Sequence, residues 1–553
     1  MIGHIQHSLS SNAFSEDALQ QIWPFFKYQN PELFKDDYIG QYYLDCMPQG
    51  YKALMIGLAQ LGDLRILSKC LIYPLLALIL VVMARNGRTL AGEIGMWMAI
   101  VCVLGFDIYL LRMVGGLPRS FALPLLALVL MALLEKRPLL LAVTTVVASL
   151  FYPVASVIGG ITLTCWLLLL DQRNRDLPQA WKPLPKRIAL IGVAGVLSLA
   201  CILPTMYQSS AYGRKIDKHA VDQFPELARG GRYLPSDSYP FDTVARTVLR
   251  GTIDVAQPKG GTWPGIGRLA ESQLTDKGIR VKHVVFWFFC ATGLIVCIVR
   301  LFKDPAFCRL LLFVLICMTL FVLAKPVYPS LYMPGRYSEY MIYLVSILLL
   351  PLLPTSVELG LKKRASLKRL GPFVSVGLCV LIVLIVTRRG DDKAGYNILL
   401  KPQASVLSVL PELEVDAKLA GWFGYPLQLV PYLYKRPVLV SFELHQVFHE
   451  SYALAMRERT VAVIEAYYPN SLQDVLNLRD NMQVSHFLIT RNHLRKAPTY
   501  FKPYGRYVQQ RFTQSKMSEL LEGTLKPAII FEDELYVLLD LRLIAENASS
   551  NLR

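Results

Sequence analysis

The chain has 553 residues, of which 54% are hydrophobic and only 18% are charged, and its mean hydropathy is +0.38. Soluble proteins carry nearer about 25% charged residues, so the composition excludes an ordinary soluble protein and predicts a polytopic membrane protein. The formal net charge of +17 does not indicate nucleic-acid binding. Much of it lies in short loops between apolar runs, and no zinc-finger or RNP-like motif accompanies it.

The acidic and aromatic segment 14–51 comes first along the chain. It contains two acidic pairs, Glu16-Asp17 and Asp36-Asp37, among many aromatic residues. Beside a membrane, such a segment suggests a site where a carboxylate meets a hydroxyl, a metal or a cation. The alternative is a solvated amphipathic helix that lies on the bilayer. Residues 1–15 lack the apolar core of a cleavable signal peptide.

Ten apolar runs follow and predict membrane-spanning helices. They lie at 66–84, 91–111, 120–134, 138–152, 154–170, 188–207, 283–302, 308–324, 337–353 and 371–387. Several are shorter than the roughly 20 residues of a perpendicular span. The run from 138 to 170 is interrupted at Phe151-Tyr152-Pro153, which predicts two short helices that meet at a proline.

The loops between these runs differ strongly in charge. If segment 14–51 faces outward, the short inward loops carry 17 Lys and Arg residues and the short outward loops carry four. The positive-inside rule therefore predicts that both ends of the chain face outward. An outward N-terminus with no preceding span is unusual, and we expect that the chain begins one helix short of its relatives.

The predicted organisation has three parts. Residues 1–65 form an outward first loop, residues 66–387 form a transmembrane core with a long outward loop at 208–282, and residues 388–553 form an extracytoplasmic α/β domain. The last assignment rests on predicted strands at 418–422, 437–441 and 485–490, helices at 446–468 and 471–481, and a hairpin through 528–541. Nine of the ten cysteines lie in or beside apolar runs, so we expect no disulfide framework.

Two short motifs in outward loops carry an arginine at a membrane boundary. One is Gly-Gly-Leu-Pro-Arg-Ser at 115–120, and the other is Tyr-Met-Pro-Gly-Arg-Tyr at 332–337. The planar guanidinium of Arg119 or Arg336 suits a phosphate, because it pairs with two oxygens at once. Arginines at such positions also commonly extend to lipid head groups.

Three further candidates are weaker. Asp107 and Arg112 are spaced for an ion pair within one helix, and Glu93 is expected at the membrane interface. His445 and His449 have i, i+4 spacing on a predicted helix, but no third metal ligand is evident.

This layout resembles the GT-C superfamily of polytopic glycosyltransferases, which use polyprenyl-phosphate-linked sugars. Glu16-Asp17 in the first outer loop, Phe151-Tyr152-Pro153 between two short helices and Pro334-Gly335-Arg336-Tyr337 before a late span carry the resemblance. Two features depart from the family pattern. The helix that precedes the acidic loop is absent, and the loop has no clean DxD motif, which leaves metal dependence open.

The resemblance implies an enzyme of the bacterial inner membrane that moves a sugar from a polyprenyl-phosphate donor to an envelope glycan, lipid or protein. Asp17, with Glu16 beside it, would be the catalytic base. Asp36, Asp37, Arg119, Arg336 and Tyr337 would bind substrate, and any Mg²⁺ or Mn²⁺ would lie at Asp17 and Asp37. The alternatives are a non-catalytic envelope scaffold and a transporter or flippase, although a transporter would carry more charge deep in its spans.

Overall fold

A computed structural model of the protein describes most of the chain and is predominantly helical. The described residues are 2–10, 13–169, 181, 183–217, 219–227, 231, 277–301, 304–327, 334–363, 365–367, 369–386, 395–398, 405–442, 444 and 448–544. The N-terminal helices are α1 (Ile2–Leu9), α2 (Ala18–Gln21), α3 (Tyr38–Cys46) and α4 (Gln49–Leu61). Strand β1 (Ala13–Phe14) pairs with β2 (Asn397–Ile398), which follows the last apolar helix.

The apolar helices cover all ten predicted runs. They are α5 (Leu64–Cys70), α6 (Ile72–Gly105), α7 (Asp107–Met113), α8 (Ala122–Leu134), α9 (Pro138–Phe151), α10 (Pro153–Leu168), α11 (Leu184–Ser210), α12 (Lys277–Leu301), α13 (Pro305–Ala324), α14 (Glu339–Leu349), α15 (Leu352–Lys362) and α16 (Leu370–Val386). By length and composition, four helical stretches in the described part can cross a membrane. The chain is therefore a helical membrane protein, and the number of spans stays a prediction.

Helix α6 contains a chain reversal where the sequence predicts a boundary between two spans. Ala91 and Gly92 leave the helical conformation, and Gly92 has φ +65°. A Cβ atom on Gly87 would lie 2.2 Å from the carbonyl oxygen of Gly95. Residues eight apart in a straight helix are about 12 Å apart, so the two halves of α6 fold back against each other.

Ion pairs join loops that the charge rule assigns to the inward side. Arg85 donates two hydrogen bonds of 2.8 Å to Glu135, which comes from the next inward loop. Arg88 pairs with Glu93 at 2.7 Å, and both side chains are exposed. Loops predicted on the opposite side also contact each other, since Lys52 donates a 2.9 Å hydrogen bond to Gln208.

The C-terminal part contains a four-stranded sheet with order β3-β4-β6-β5. Its strands are β3 (Leu419–Gly421), β4 (His486–Thr490), β5 (Ile529–Glu532) and β6 (Tyr536–Asp540). The β3–β4 pair is parallel and the other two pairs are antiparallel. The accompanying helices are α17 (Glu450–Tyr467), α18 (Leu472–Asp480), α19 (Arg491–Arg495), α20 (Tyr504–Thr513) and α21 (Met517–Glu522).

Two sequence predictions for this part need correction. Residues 437–441 do not form a strand, because Val438 makes only an isolated parallel bridge to Leu419. The helix predicted from 446 begins at Glu450, and His449 precedes it with extended backbone angles. His445 lies outside the described residues.

The first outer loop and the C-terminal part share one hydrophobic core. This core includes Trp23 and Tyr42 from the loop, Phe224 from the segment after α11, and Phe487 and Val537 from the sheet. Tyr42 stacks on Tyr452 of α17 with ring centroids 3.6 Å apart. Segment 14–51 is therefore packed against the C-terminal part and is not a separate helix on the bilayer surface. We call the two together the outer layer, after their predicted side of the membrane.

A buried ion pair fixes the segment after α11 to the C-terminal helices. The Glu226 carboxylate, 2% exposed, accepts hydrogen bonds of 2.7 and 2.8 Å from Arg457 and one of 2.8 Å from Tyr504. Burial alone would raise the pKa of Glu226, but the hydrogen bonds from Arg457 and Tyr504 outweigh it and hold that pKa below its ordinary value.

Replacing Arg457 with Met should destabilise the outer layer, because Glu226 would keep a buried charge without its partner. The expected loss is about 3–5 kcal/mol. Since the folded pKa of Glu226 is depressed, the stability that it contributes is present above about pH 4.3 and is lost as pH falls through the folded value. Arg457→Met should lack this acid-side dependence.

Thermal unfolding of purified protein at several pH values measures both effects. Arg214→Met is the matched control, because Arg214 is 89% exposed and lies 3.7 Å from Glu450. Surface pairs of this kind contribute at most about 1 kcal/mol. Equal melting temperatures for the two variants would contradict a stabilising role for the buried pair.

Candidate functional site

The loop that carries Arg119 is held against the first outer loop by two glycines. Gly115 and Gly116 have φ of +91° and +65°, which disfavour any residue with a side chain. A Cβ atom on Gly116 would lie 2.2 Å from the Ser68 carbonyl oxygen, and one on Gly115 would lie 3.1 Å from the Cβ of Ser15. The two glycines of the motif at 115–120 therefore let the loop pack closely between Ser15 and the first apolar helix, α5.

This packing brings Arg119 to Asp17. The Nη1 atom of Arg119 forms an ion pair with Oδ2 of Asp17, and the two side chains are 21% and 32% exposed. Asp17 precedes α2 but does not cap it through its side chain, so its carboxylate is directed to the arginine. Glu16, the adjacent acid, is exposed. Two of the sequence candidates, 102 residues apart, thus meet at one place.

An aromatic path connects this ion pair to Arg336. Phe121 ends the 3-10 turn Pro118–Phe121, and its ring stacks on Phe151 with centroids 4.7 Å apart. The next residue, Tyr152, meets Tyr340 edge to face at 5.9 Å. Tyr340 OH accepts a 2.7 Å hydrogen bond from Nη1 of Arg336. The break between the short helices α9 and α10 therefore contacts both arginine motifs: Phe151 stacks on Phe121 beside the first, and Tyr152 meets Tyr340, which is hydrogen-bonded to Arg336 of the second.

A polar cluster that the sequence did not predict lies just after the motif at 332–337. Arg112 forms an ion pair with Glu339 and donates a 3.1 Å hydrogen bond to Tyr343 OH, which in turn donates 2.8 Å to Glu339. The predicted partner of Arg112 was Asp107, whose side chain lies outside the described part. The sequence signal that could have indicated this cluster is the acidic residue Glu339, which comes three residues after Arg336 at the start of an apolar run.

The second acidic pair lies in a different environment. Oδ1 of Asp37 accepts a 2.7 Å hydrogen bond from the Gly40 N–H and caps α3. Burial raises the pKa of the Asp37 carboxyl, against that hydrogen bond and the nearby charges of Arg459 and Lys418. Asp36 is exposed and has φ +57°. Asp37 thus faces C-terminal cations, whereas Asp17 pairs with Arg119. Tyr337 is buried, 7% exposed, at the end of the turn Pro334–Tyr337.

The donor groups needed for a metal ion are not assembled in the described part of the chain. No group of three or more His, Cys, Asp and Glu side chains lies close enough there to hold an ion. The Nδ1 atom of His449 lies 3.1 Å from Tyr42 OH, within hydrogen-bond distance. Burial, with a smaller effect from Lys215, lowers the pKa of His449 to about 4. His449 is a packed interface residue in this structure.

Comparison with known proteins yields structural neighbours only. No protein-family model matches the sequence, and no curated protein matches it as a relative. The archaeal oligosaccharyltransferase AglB from Archaeoglobus fulgidus, in complex with an inhibitory peptide and a dolichol-phosphate, aligns with 89% of this chain and 69% of its own at 11% identity and a TM-score of 0.50.

ArnT from Cupriavidus metallidurans in the apo state aligns with 98% of this chain and 96% of its own at 13% identity and a TM-score of 0.47. The same protein bound to undecaprenyl phosphate gives the same figures. These neighbours are GT-C glycosyltransferases, and the AglB match confirms the predicted GT-C resemblance at the level of the fold. At such identities the likeness concerns the fold alone.

Gly116→Ala should destabilise the loop that carries Arg119, because the new methyl group would overlap the Ser68 carbonyl oxygen at a backbone angle that alanine rarely adopts. The expected loss is about 1–3 kcal/mol. Gly335→Ala is the control, since an added Cβ there meets no atom within 4 Å. Thermal unfolding compares the two variants, and an unchanged melting temperature for Gly116→Ala would contradict the close packing.

Proposed function

We propose that the protein is a glycosyltransferase that moves a sugar from a polyprenyl-phosphate donor to an envelope glycan, lipid or protein. The observation that carries the proposal is the Asp17–Arg119 ion pair at the outer ends of the apolar helices, with an aromatic path to Arg336. A GT-C-like fold supports the same reaction class, because the neighbour AglB was solved with a dolichol-phosphate.

In the proposed reaction an acceptor hydroxyl attacks the anomeric carbon of the donor sugar. The new glycosidic bond forms as the bond between that carbon and the phosphate oxygen breaks, and polyprenyl phosphate leaves. Asp17 accepts the proton of the attacking hydroxyl, with Glu16 beside it on the exposed side. A positioned carboxylate of this kind contributes typically 10²–10⁴-fold to a rate.

The arginines balance the negative charge of the donor. Arg336 and Arg119 would bind the phosphate oxygens, whose charge increases as the leaving group departs. Arg119 also holds the Asp17 carboxylate in place, so acid and phosphate would approach one bound substrate. Tyr340, through its hydrogen bond to Arg336, orients the guanidinium.

Asp36 and Asp37 would bind the acceptor. Asp37 lies on the side of the outer layer that faces Arg459 and Lys418. Mg²⁺ or Mn²⁺ at Asp17 and Asp37 stays a prediction. The proposed steps do not use it, because one carboxylate is ion-paired and the other caps a helix.

The proposed location is a bacterial inner membrane, with the first loop and the C-terminal part outside the cytoplasm. The asymmetry of 17 inward and four outward cations supports this orientation. The contacts Arg85–Glu135 and Lys52–Gln208 support the grouping of the loops into two sides, because each joins loops of the same predicted side.

Asp17→Asn should reduce transfer by roughly 10²–10⁴-fold, because asparagine keeps the volume but cannot accept the proton. The assay is transfer of a labelled sugar from a polyprenyl-phosphate donor in membranes, normalised to protein amount. Glu93→Gln is the matched control, since Glu93 forms an exposed ion pair on the predicted inward side. Wild-type transfer by Asp17→Asn would favour the non-catalytic scaffold.

Arg336→Lys should raise the KM for the donor by roughly 10- to 150-fold, because lysine keeps the charge but loses the guanidinium fork. The loss of one charge-assisted hydrogen bond corresponds to about 1.5–3 kcal/mol. Arg88→Lys on the predicted inward side serves as the control. An arginine that only contacts lipid head groups would tolerate lysine, and an unchanged KM would exclude Arg336 from phosphate binding.

A further inference from the structure

An aromatic cleft lies in the C-terminal part, outside the proposed transfer site. Its volume is about 350 Å³, and it is lined by Trp422, Gly424, Phe442, Thr499, Tyr500 and Phe501. Ligand pockets span roughly 300–1,000 Å³, so the cleft is at the small end of that range. This size suits a mono- or disaccharide or a compact group of similar size.

The cleft lies where the sheet topology favours a ligand. Strands β3 and β4 are parallel neighbours, and the chain enters the cleft at Trp422, directly after β3 ends at Gly421. After β4 ends at Thr490, the chain passes through α19 and reaches the cleft at Thr499–Phe501. Ligands of open α/β sheets commonly bind beyond the carboxyl ends of such strands.

The aromatic walls are held in place by their own contacts. Tyr500 stacks on Phe423 with centroids 4.5 Å apart and an interplanar angle of 19°. The Phe442 N–H donates a 2.8 Å hydrogen bond to the Phe423 carbonyl. Within the cleft the rings are steeply inclined, at 66° for both Trp422–Tyr500 and Phe442–Phe501. Both faces and edges of aromatic rings therefore line the cleft. Because these rings are already held by their own contacts, a ligand would bind with little rearrangement.

None of the described residues that line the cleft carries a charge. His493 packs against Trp422 with centroids 5.4 Å apart, and burial lowers the pKa of its ring, so it adds no positive charge near neutral pH. An ionised ligand would lose hydration without gaining a counter-ion. The Thr499 hydroxyl lies at the exposed rim of the cleft and offers a hydrogen bond that a purely apolar ligand could not use. A pyranose ring combines apolar C–H faces with hydroxyl edges and fits both properties.

We propose that this cleft binds a neutral sugar residue of the acceptor, as a holding site separate from the transfer site. That the bound sugar belongs to the acceptor rests on the proposed function, whereas sugar binding by the cleft does not. A glycan held on the outer layer would be delivered at high local concentration to the reacting groups. The remaining outcomes, an acidic sugar or an apolar peptide in the cleft, are decided by the experiment.

The experiment measures sugar binding by the purified full-length protein with isothermal titration calorimetry. A polyoxyethylene detergent is used, because glucoside and maltoside head groups would compete for the cleft. The probes are maltose, diacetylchitobiose and mannobiose as neutral sugars, a glucuronic-acid disaccharide as the acidic match, and a short Tyr-Leu peptide as the apolar match. We expect saturable binding of at least one neutral disaccharide and weaker binding of the other two classes.

Gly424→Leu should reduce that binding at least tenfold. An added Cβ at Gly424 meets no atom within 4 Å, so this lining position has room for a side chain, and leucine there reduces the volume left for a ligand. Gly57→Leu on α4 is the matched control, because its added Cβ also meets no atom within 4 Å and it is remote from the cleft in the chain. If Gly424→Leu fails to fold, Thr499→Trp blocks the exposed rim instead.

Three results would overturn the inference: no saturable binding of any neutral probe, wild-type affinity in the cleft-filling variants, or binding of only the acidic or the peptide probe. Asp17→Asn separates this inference from the proposed function. The variant should bind sugar with wild-type affinity although it loses transfer. If the wild-type protein binds sugar but transfers none, the sugar site in the cleft stands and the proposed transferase function fails.

Discussion

The close approach of Gly116 to the Ser68 carbonyl oxygen is the constraint on which the candidate site depends. A Cβ atom at Gly116 would lie 2.2 Å from that oxygen, so the loop can lie where it does only with glycine at this position. The same loop places Gly115 against Ser15 and Arg119 against Asp17. A local backbone property therefore determines whether an acid of the first loop and a cation of the helical core meet.

The other side of the first loop is held by aromatic packing. Tyr42 stacks on Tyr452, and Trp23, Phe25 and Tyr51 are fully or almost fully buried. Because aromatic side chains bury large areas in few rotamers, the loop has little freedom to move relative to the C-terminal part. The segment that carries Asp17 is thus held by contacts on two sides, and the role proposed for Asp17 would need such preorganisation.

Two part-buried ion pairs join distant segments of the chain. Arg112 with Glu339 and Arg457 with Glu226 each combine an ion pair with a tyrosine hydroxyl. Such pairs contribute little net stability but are costly to break, so they act mainly by fixing which elements lie side by side. The Arg112–Glu339 pair fixes α7 against α14, one turn from Arg336. The Glu226–Arg457 pair fixes the segment after α11 against α17.

The sequence alone determined the membrane class, the positions of the apolar helices and most strands of the C-terminal part. For example, the strand predicted at 485–490 is found at His486–Thr490. These features follow from hydrophobic runs and alternation, which are local properties of the chain. The sequence also named Asp17, Arg119 and Arg336 as candidates. Only the tertiary structure decided their partners: Asp17 pairs with Arg119, Asp37 caps a helix, and Arg112 pairs with Glu339, 227 residues away. Ionic partners are chosen by long-range packing in surroundings that disfavour unpaired charge, and no local pattern encodes that choice.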